Sequence, residues 1–345
     1  MYSIRVTVLA LLVAVLDISS ADARRVPAID AGVDRLAELQ RDDPLTPDWN
    51  GTWFWFVGHM ADVTNLTGVT ALGALEAYRH RKDPVAEQVV DNAATFLLEH
   101  LGAGATGTPH FDRMTAPDMV FLYDLGDLDD AAELMQRACD EWNNVKTIWP
   151  TAGELDATFR SSNRASVWDL AFFMEGASRC DDDVWADDAA AIIADVDDPF
   201  YYNTNGTWYV LNVAAAIRSL AGEGYGSLYQ AEVRELLGIL VGLAESGDGV
   251  NGAIQETAYA VMAFKTVGFS MNRHANNLAR WLSDMQEEGG GWLESDDNEY
   301  AEINGEAVRA MAMTVGRGNV PGVKSNIPPK LVATLNGERQ GQEPF

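Results

Sequence analysis

The stretch "WLSDMQEEGGGW", residues 281–292, decides the fold. Trp281 and Leu282 sit near the end of an amphipathic run; Gln286 follows, then Gly289, Gly290 and Gly291, then Trp292. A glutamine amide at a helix end can bond the backbone groups that the last turn leaves free. The glycines permit a left-handed stop. A tryptophan can cover the junction while its indole N–H reaches a carbonyl. Such an ending is either an ordinary helix stop or one unit of a repeated architecture.

Outward from this stretch, helical periodicity dominates and strand alternation is almost absent. Apolar, small-residue segments alternate with more charged ones. The apolar set is 66–79, 116–126, 165–178, 208–221, 253–266 and 304–315; the charged set is 86–100, 130–144, 184–195, 229–245 and 273–286. The second set carries acids and arginines on one face and Leu, Val, Ala or Ile on the other, as half-exposed helices do. Six apolar helices face five amphipathic ones, and the segment 28–41, "AIDAGVDRLAELQR", has the pattern of the missing partner. Units of roughly 35–50 residues are the rhythm of helical repeats. Helices buried on both sides should be apolar all round, as the first set is. An open solenoid would need polar capping repeats at both ends. The fold expected is therefore all-α, a single-domain (α/α)6 toroid over residues 24–315. The span 145–162 reads as a longer connection, and 316–345, with Pro321, Pro328 and Pro329, as an irregular tail.

Trp281-Leu282, Gln286, Gly290 and Trp292 resemble the QW motif of the squalene and hopene cyclase family. The chain is thereby similar to the terpenoid cyclase and protein prenyltransferase α-toroid superfamily. The rhythm covers most of residues 24–315, whereas the motif covers about a dozen. The resemblance implies a ring of helical hairpins stapled at their ends. Cyclase chemistry would further require the middle Asp of a D-x-D-D string facing a dry cavity. Two such strings exist, Asp127-Leu128-Asp129-Asp130 and Asp195-Val196-Asp197-Asp198, and both are expected at exposed turns. Prenyltransferases hold zinc with Asp, Cys and His; no Asp-x-Cys pair occurs here, and the five histidines lack ligand spacing with a cysteine. The sequence calls for no metal and no cofactor.

The first residues read as a cleavable signal peptide, 1–23: Arg5, an apolar run from Val6 to Leu16, and the A-x-A site Ala21-Asp22-Ala23. That run is too short to remain as a membrane span. The mature protein is thus expected outside the cytoplasm, secreted, periplasmic or at the cell surface. Acids outnumber bases 52 to 24, for a net charge of −28. This scattered acidity opposes nucleic acid and anionic lipid as partners, and with only five lysines it resembles salt-adapted surfaces. Cys139 and Cys180 could pair in an oxidising compartment, but spacing alone does not bring them together.

A polar residue recurs near the start of each apolar helix: Asn65 or Thr67, Asp118, Asp169, Asn212, Glu256 and Glu306. In a toroid these starts converge on one mouth. Carboxylates gathered there raise each other's pKa, and paired carboxyls are what glycosidic hydrolysis needs. Asp169, in "SVWDLAFF", and Glu256, in "AIQETAYAVMAF", are the first candidates for catalysis because their apolar neighbours imply burial; Glu306 and Asp118 follow. Trp53, Trp55, Trp168 and Trp208 would offer faces to a sugar or fill the core. Asn65, Asn212, Tyr259, Tyr300 and His59 complete the candidate binding set, with Tyr259, Tyr300 or His59 as base and Arg309 as uronate neutraliser if the enzyme is a lyase. The expected function is a polysaccharide hydrolase or lyase with a glycan or cell-surface polymer as partner. A non-catalytic toroid binding a glycan, peptide or surface partner, and a terpenoid cyclase, are the alternatives.

Overall fold

The computed structural model describes residues 25–42, 49–58, 66–101, 113–162, 166–206, 208–245 and 247–315. The expected signal peptide, the tail, Asn65 and His59 lie outside the described residues. Those described form thirteen α-helices and no strand, with isolated bridges such as Phe56 to Tyr300. No helix among them is long and apolar enough to cross a membrane. The helices are α1 (25–39), α2 (Thr67–Arg81), α3 (Pro84–His100), α4 (Thr115–Asp129), α5 (Ala132–Ile148), α6 (Ala152–Ser162) and α7 (Val167–Arg179). They continue with α8 (Asp183–Ile193), α9 (Tyr209–Gly222), α10 (Gln230–Ala244), α11 (Ile254–Val267), α12 (Asn272–Asp284) and α13 (Ala301–Thr314).

The apolar segments become α2, α4, α7, α9, α11 and α13, each buried along most of its length. The amphipathic ones bury a stripe: Ala86, Val89, Val90, Ala93 and Leu97 on α3, and Ala275, Leu278, Ala279 and Leu282 on α12. Helix α2 packs on α4, α4 on α7, α7 on α9, α9 on α11, α11 on α13, and α13 on α2. The chain makes the last contact intimate by placing glycine on both sides. A Cβ at Gly73 would fall 2.1 Å from the Gly305 carbonyl oxygen, and one at Gly305 would fall 2.6 Å from that of Thr70. Helices α3, α5, α8, α10 and α12 pack behind α2, α4, α7, α9 and α11 respectively. Helix α1 lies beside α13, where a Cβ at Gly32 would meet Val308 Cγ2 at 2.6 Å.

The stretch 281–292 acts as its chemistry suggests. Gln286 Nε2 donates to the Ala28 carbonyl on α1 and to the Gly290 carbonyl, both at 2.8 Å. The Trp292 indole donates to the Leu282 carbonyl at 2.8 Å. Gly290 has φ +85°, and a Cβ there would lie 2.3 Å from the Ala31 oxygen. The same staple occurs a second time, which the sequence reading did not anticipate. Gln40 Nε2 donates to the carbonyls of Gly51 at 2.9 Å and Val89, on α3, at 3.0 Å. The Trp53 indole donates to the Leu36 carbonyl at 2.9 Å. Gly51 has φ +95°, and its Cβ would lie 2.3 Å from the Asn92 oxygen. This copy escapes a motif search because its glutamine and glycine stand 11 residues apart, against 4 in the first.

Two boundaries differ from the sequence reading. The connection 145–162 contains α6, whose short buried face is only Ala152 and Leu155. Helix α13 begins at Ala301 rather than 304, with Tyr300 as its N-cap. Asn304 and Gly305 are poor helix formers, yet both are needed: Gly305 for the close approach to α2, and Asn304 Oδ1 to accept the Trp292 backbone N–H at 2.9 Å. The earlier start brings Glu302 into the first turn. A disulfide joins Cys139 of α5 to Cys180 at the end of α7, with Cα atoms 5.4 Å apart.

Candidate functional site

Helical spacing places Glu302 and Glu306 four residues apart on one face of α13, and Gln255 and Tyr259 four apart on α11. Trp168 and Asp169 stand in the first turn of α7. These side chains meet toward the N-terminal ends of the buried helices α7, α11 and α13. The Trp168 indole donates to the Tyr259 hydroxyl. Having accepted that bond, Tyr259 donates its proton to Glu306 Oε1 at 2.8 Å. Gln255 Nε2 donates to Glu306 Oε2 at 2.9 Å. Arg113 reaches in from the rim, its Nε 2.8 Å from Asp169 Oδ1 and its guanidinium 5.1 Å from the centre of the Trp168 ring.

Burial dominates the electrostatics. Glu306 is 1 % exposed, and burial, reinforced by the charge of Glu302, pushes its carboxyl well above the usual range despite the donors Tyr259 and Gln255. Burial likewise raises Glu302 to about 7, with Arg113 opposing the rise and Asp169 adding to it. Burial and the neighbouring acid charge thus act together to favour the protonated form of Glu306. Asp169 is also raised by burial, against Arg113 and Ser166. Its Oδ2 accepts from the Ser166 backbone N–H and hydroxyl, both at 2.8 Å, which makes it the capping-box partner of α7. Burial and the Glu306 charge raise the Tyr259 phenol well above its ordinary value, so it keeps its proton. Glu302 takes no hydrogen bond among the described residues.

The expected acid ring is only partly gathered. Asp169 and Glu306 belong to this cluster. Asp118 is buried, and its Oδ1 accepts the Gly68 backbone N–H at 2.7 Å, closing the start of the neighbouring α2. Asn212 does the same for α7: its Oδ1 accepts from Val167 at 2.9 Å while its Nδ2 donates to the Tyr201 carbonyl at 2.6 Å. Thr67 donates to Thr52 Oγ1 at 2.8 Å. Glu256 is half-buried and accepts from Asn251 Nδ2 at 2.8 Å, beside Glu294 rather than Glu306. The expected binding aromatics divide as well. Trp53 is core, locked in its staple. Trp55, 39 % exposed, lies with Phe56 and Tyr300 on the rim beside the start of α13, and Trp208, 47 % exposed, caps α9 at the same end. The first D-x-D-D string ends α4 at the surface and the second lies in a surface turn, with Asp129 paired to Lys82 and Asp198 to Arg160.

Sequence reasoning missed Glu302, Gln255 and Arg113. Glu302 was legible had α13 been started three residues sooner, because it repeats Glu306 at i−4. No periodic signal marks Arg113. Also missed was a network in the C-terminal halves of the buried helices. There Arg79 and His80 contact Glu76, Arg179 bridges Asp124 and Glu223, and Arg218 pairs with Glu175. Burial opposes the charge of Glu76, but His80 and Arg79 prevail and hold it down at about 2. A charge inside an apolar run was the available signal, in "ALGALEAYRH" and "NVAAAIRSLA".

No group of three His, Cys, Asp or Glu side chains suited to a metal occurs among the described residues. No family model matches the chain, and no curated protein matches it significantly.

Proposed function

We propose that the chain is an exported (α/α)6 toroid that hydrolyses a glycan by acid–base catalysis at the N-terminal mouth of its inner helices. The contact order from α2 through α13 and back to α2, with α1 as the sixth outer helix, supports the ring. The Cys139–Cys180 disulfide is consistent with an oxidising compartment.

The observation that carries the function is the Glu302–Glu306 pair, two buried carboxyls with raised pKa values beside an aromatic rim. Glu306 serves as the acid. Both of its partners, Tyr259 and Gln255, donate to it, so its own proton is left for the glycosidic oxygen. Glu302, raised to about 7 and without a hydrogen bond among the described residues, serves as the base that takes a proton from the attacking water. Protonating the leaving oxygen breaks the C–O bond, and the water oxygen forms the new one. Arg113 and Asp169 position and tune Glu302. Trp55, Tyr300 and Trp208 supply faces on which sugar rings stack.

Hydrolysis is favoured over elimination because Tyr259 is a proton donor held by Trp168 and Glu306, the wrong state for a lyase base. A terpenoid cyclase gains no support, because neither D-x-D-D string lies among the inward-facing groups.

The test is reducing-end release from a panel of plant, fungal and bacterial polysaccharides. The wild type should cleave at least one, and Glu306→Gln should lower the rate at least 100-fold, the lower range for removing a general acid. Full activity in a folded Glu306→Gln variant would overturn the site.

A further inference from the structure

One turn beyond Glu306 on the same strip of α13 stands Arg309. It makes no hydrogen bond or ion pair among the described residues, although a guanidinium carries five donors. It is half-buried, so water reaches the space beside it. Shortage of acids does not explain its isolation in a chain with 52 acids and 24 bases.

The nearby carboxylates are committed elsewhere. Glu76 gives one oxygen to His80 at 3.0 Å and the other to Arg79 at 3.1 Å. Glu175 is held by Arg218, with Nη2 2.7 Å from Oε1 and Nη1 3.3 Å from Oε2. Arg218 is itself 6 % exposed, and its Nε lacks a hydrogen bond although wholly buried. Its guanidinium lies 4.8 Å from the centre of the Phe172 ring, whose face replaces solvent on one side. Arg309 stands near enough to this pair to feel the charges of both Arg218 and Glu175.

We propose that Arg309 binds the anionic substituent of a glycan, a uronate carboxylate or a sulfate ester, one residue-length from Glu306. The proposal rests on the glycan reading of the mouth and narrows its substrate to acidic polymers. Burial first, and the Arg218 charge second, lower the Arg309 pKa, which is the behaviour of a cation lacking its counter-ion. Helical spacing sets the β-carbons of Glu306 and Arg309 about 5–6 Å apart. That is close to the width of one sugar ring, so a sugar whose bond meets Glu306 can present its charged group to Arg309. A neutral polymer would leave the Arg309 guanidinium without a partner, which selects against it.

The test is calorimetric titration of the wild type, Arg309→Gln and Arg309→Lys with glucuronate, glucose 6-sulfate and glucose, alongside cleavage of polygalacturonate and a neutral galactan. Glucuronate or the sulfate ester should bind the wild type, and the stronger of the two identifies the substituent. Glucose should bind at least tenfold more weakly. Arg309→Gln should lose at least tenfold in anion affinity, and Arg309→Lys should recover part of it. Thermal melts of all three proteins establish that the variants are folded. Equal binding of glucose and the anions, or a folded Arg309→Gln that binds anions like the wild type, would overturn the proposal. Cleavage of the galactan without anion binding would remove the anion site and leave the hydrolytic reading intact. Anion binding without cleavage of any polysaccharide would do the reverse.

Discussion

The Gln286 side-chain amide donates to the Ala28 carbonyl at 2.8 Å, joining residues 258 apart in sequence. Ala28 lies on the first helix and Gln286 just beyond the twelfth, so this one bond ties the end of α12 to α1. Its counterpart, from Gln40 to Val89, links α1 to α3. The two staples share every working part: a glutamine giving two bonds, a glycine at positive φ, and a buried tryptophan bonding the carbonyl four residues before the glutamine.

Because the parts match, the two copies should respond alike. Gln40→Ala and Gln286→Ala each remove two hydrogen bonds to partly buried carbonyls, and each should cost about 1–3 kcal/mol. Gly51→Ala and Gly290→Ala should cost more, since each adds a Cβ 2.3 Å from a backbone oxygen at a φ that side chains rarely adopt. Urea denaturation of the four variants measures this. A loss confined to the 286–292 copy would show that the Gln40 staple is incidental.

Asp118→Ala and Asn212→Ala should lower stability by about 1–3 kcal/mol, because each leaves a buried backbone N–H of a neighbouring helix without its acceptor. Neither should lower turnover in the folded fraction. A specific loss of activity at unchanged melting temperature would return them to the catalytic set.

Glu302 makes stability depend on pH in a direction that can be worked out. Its folded pKa of about 7 lies above its ordinary 4.5. The folded state therefore binds the proton more tightly, and the stability this contributes is complete below pH 4.5 and lost as pH rises through 7. Melting temperatures of the wild type should fall across that window, and Glu302→Gln should flatten this part of the slope. An identical slope in the variant would mean that Glu302 titrates normally.

The Cys139–Cys180 bond closes a separation of 41 residues, for which loop-closure entropy gives about 4 kcal/mol. Replacing both cysteines by serine should lower unfolding free energy by up to that amount and leave the mouth unchanged. No change in stability would mean that the reduced chain holds α5 against α7 unaided.

The helices were legible because burial on both sides leaves an unmistakable apolar signature, as in α4 and α9. The site was legible only in part. Asp169 and Glu306 stood out as charges among apolar residues. Glu302 was hidden by Asn304 and Gly305, which read as a helix start and are in fact tolerated for the bond to Trp292 and the approach to α2. Asp118 and Glu306 look alike as strings of letters. Only the packing separates a carboxylate that caps the next helix from one that faces a second acid. The Gln40 staple was hidden by loop length, which spatial equivalence does not register.

The central claim is that the mouth keeps a carboxyl protonated at neutral pH. Infrared spectroscopy reads this directly, through the carbonyl stretch of a protonated acid. At pH 7 the wild type should show that band, with a component titrating on the alkaline side of neutrality, and a folded Glu306→Gln variant should lose that alkaline component. A wild-type spectrum with every carboxyl ionised at pH 7 would contradict the account.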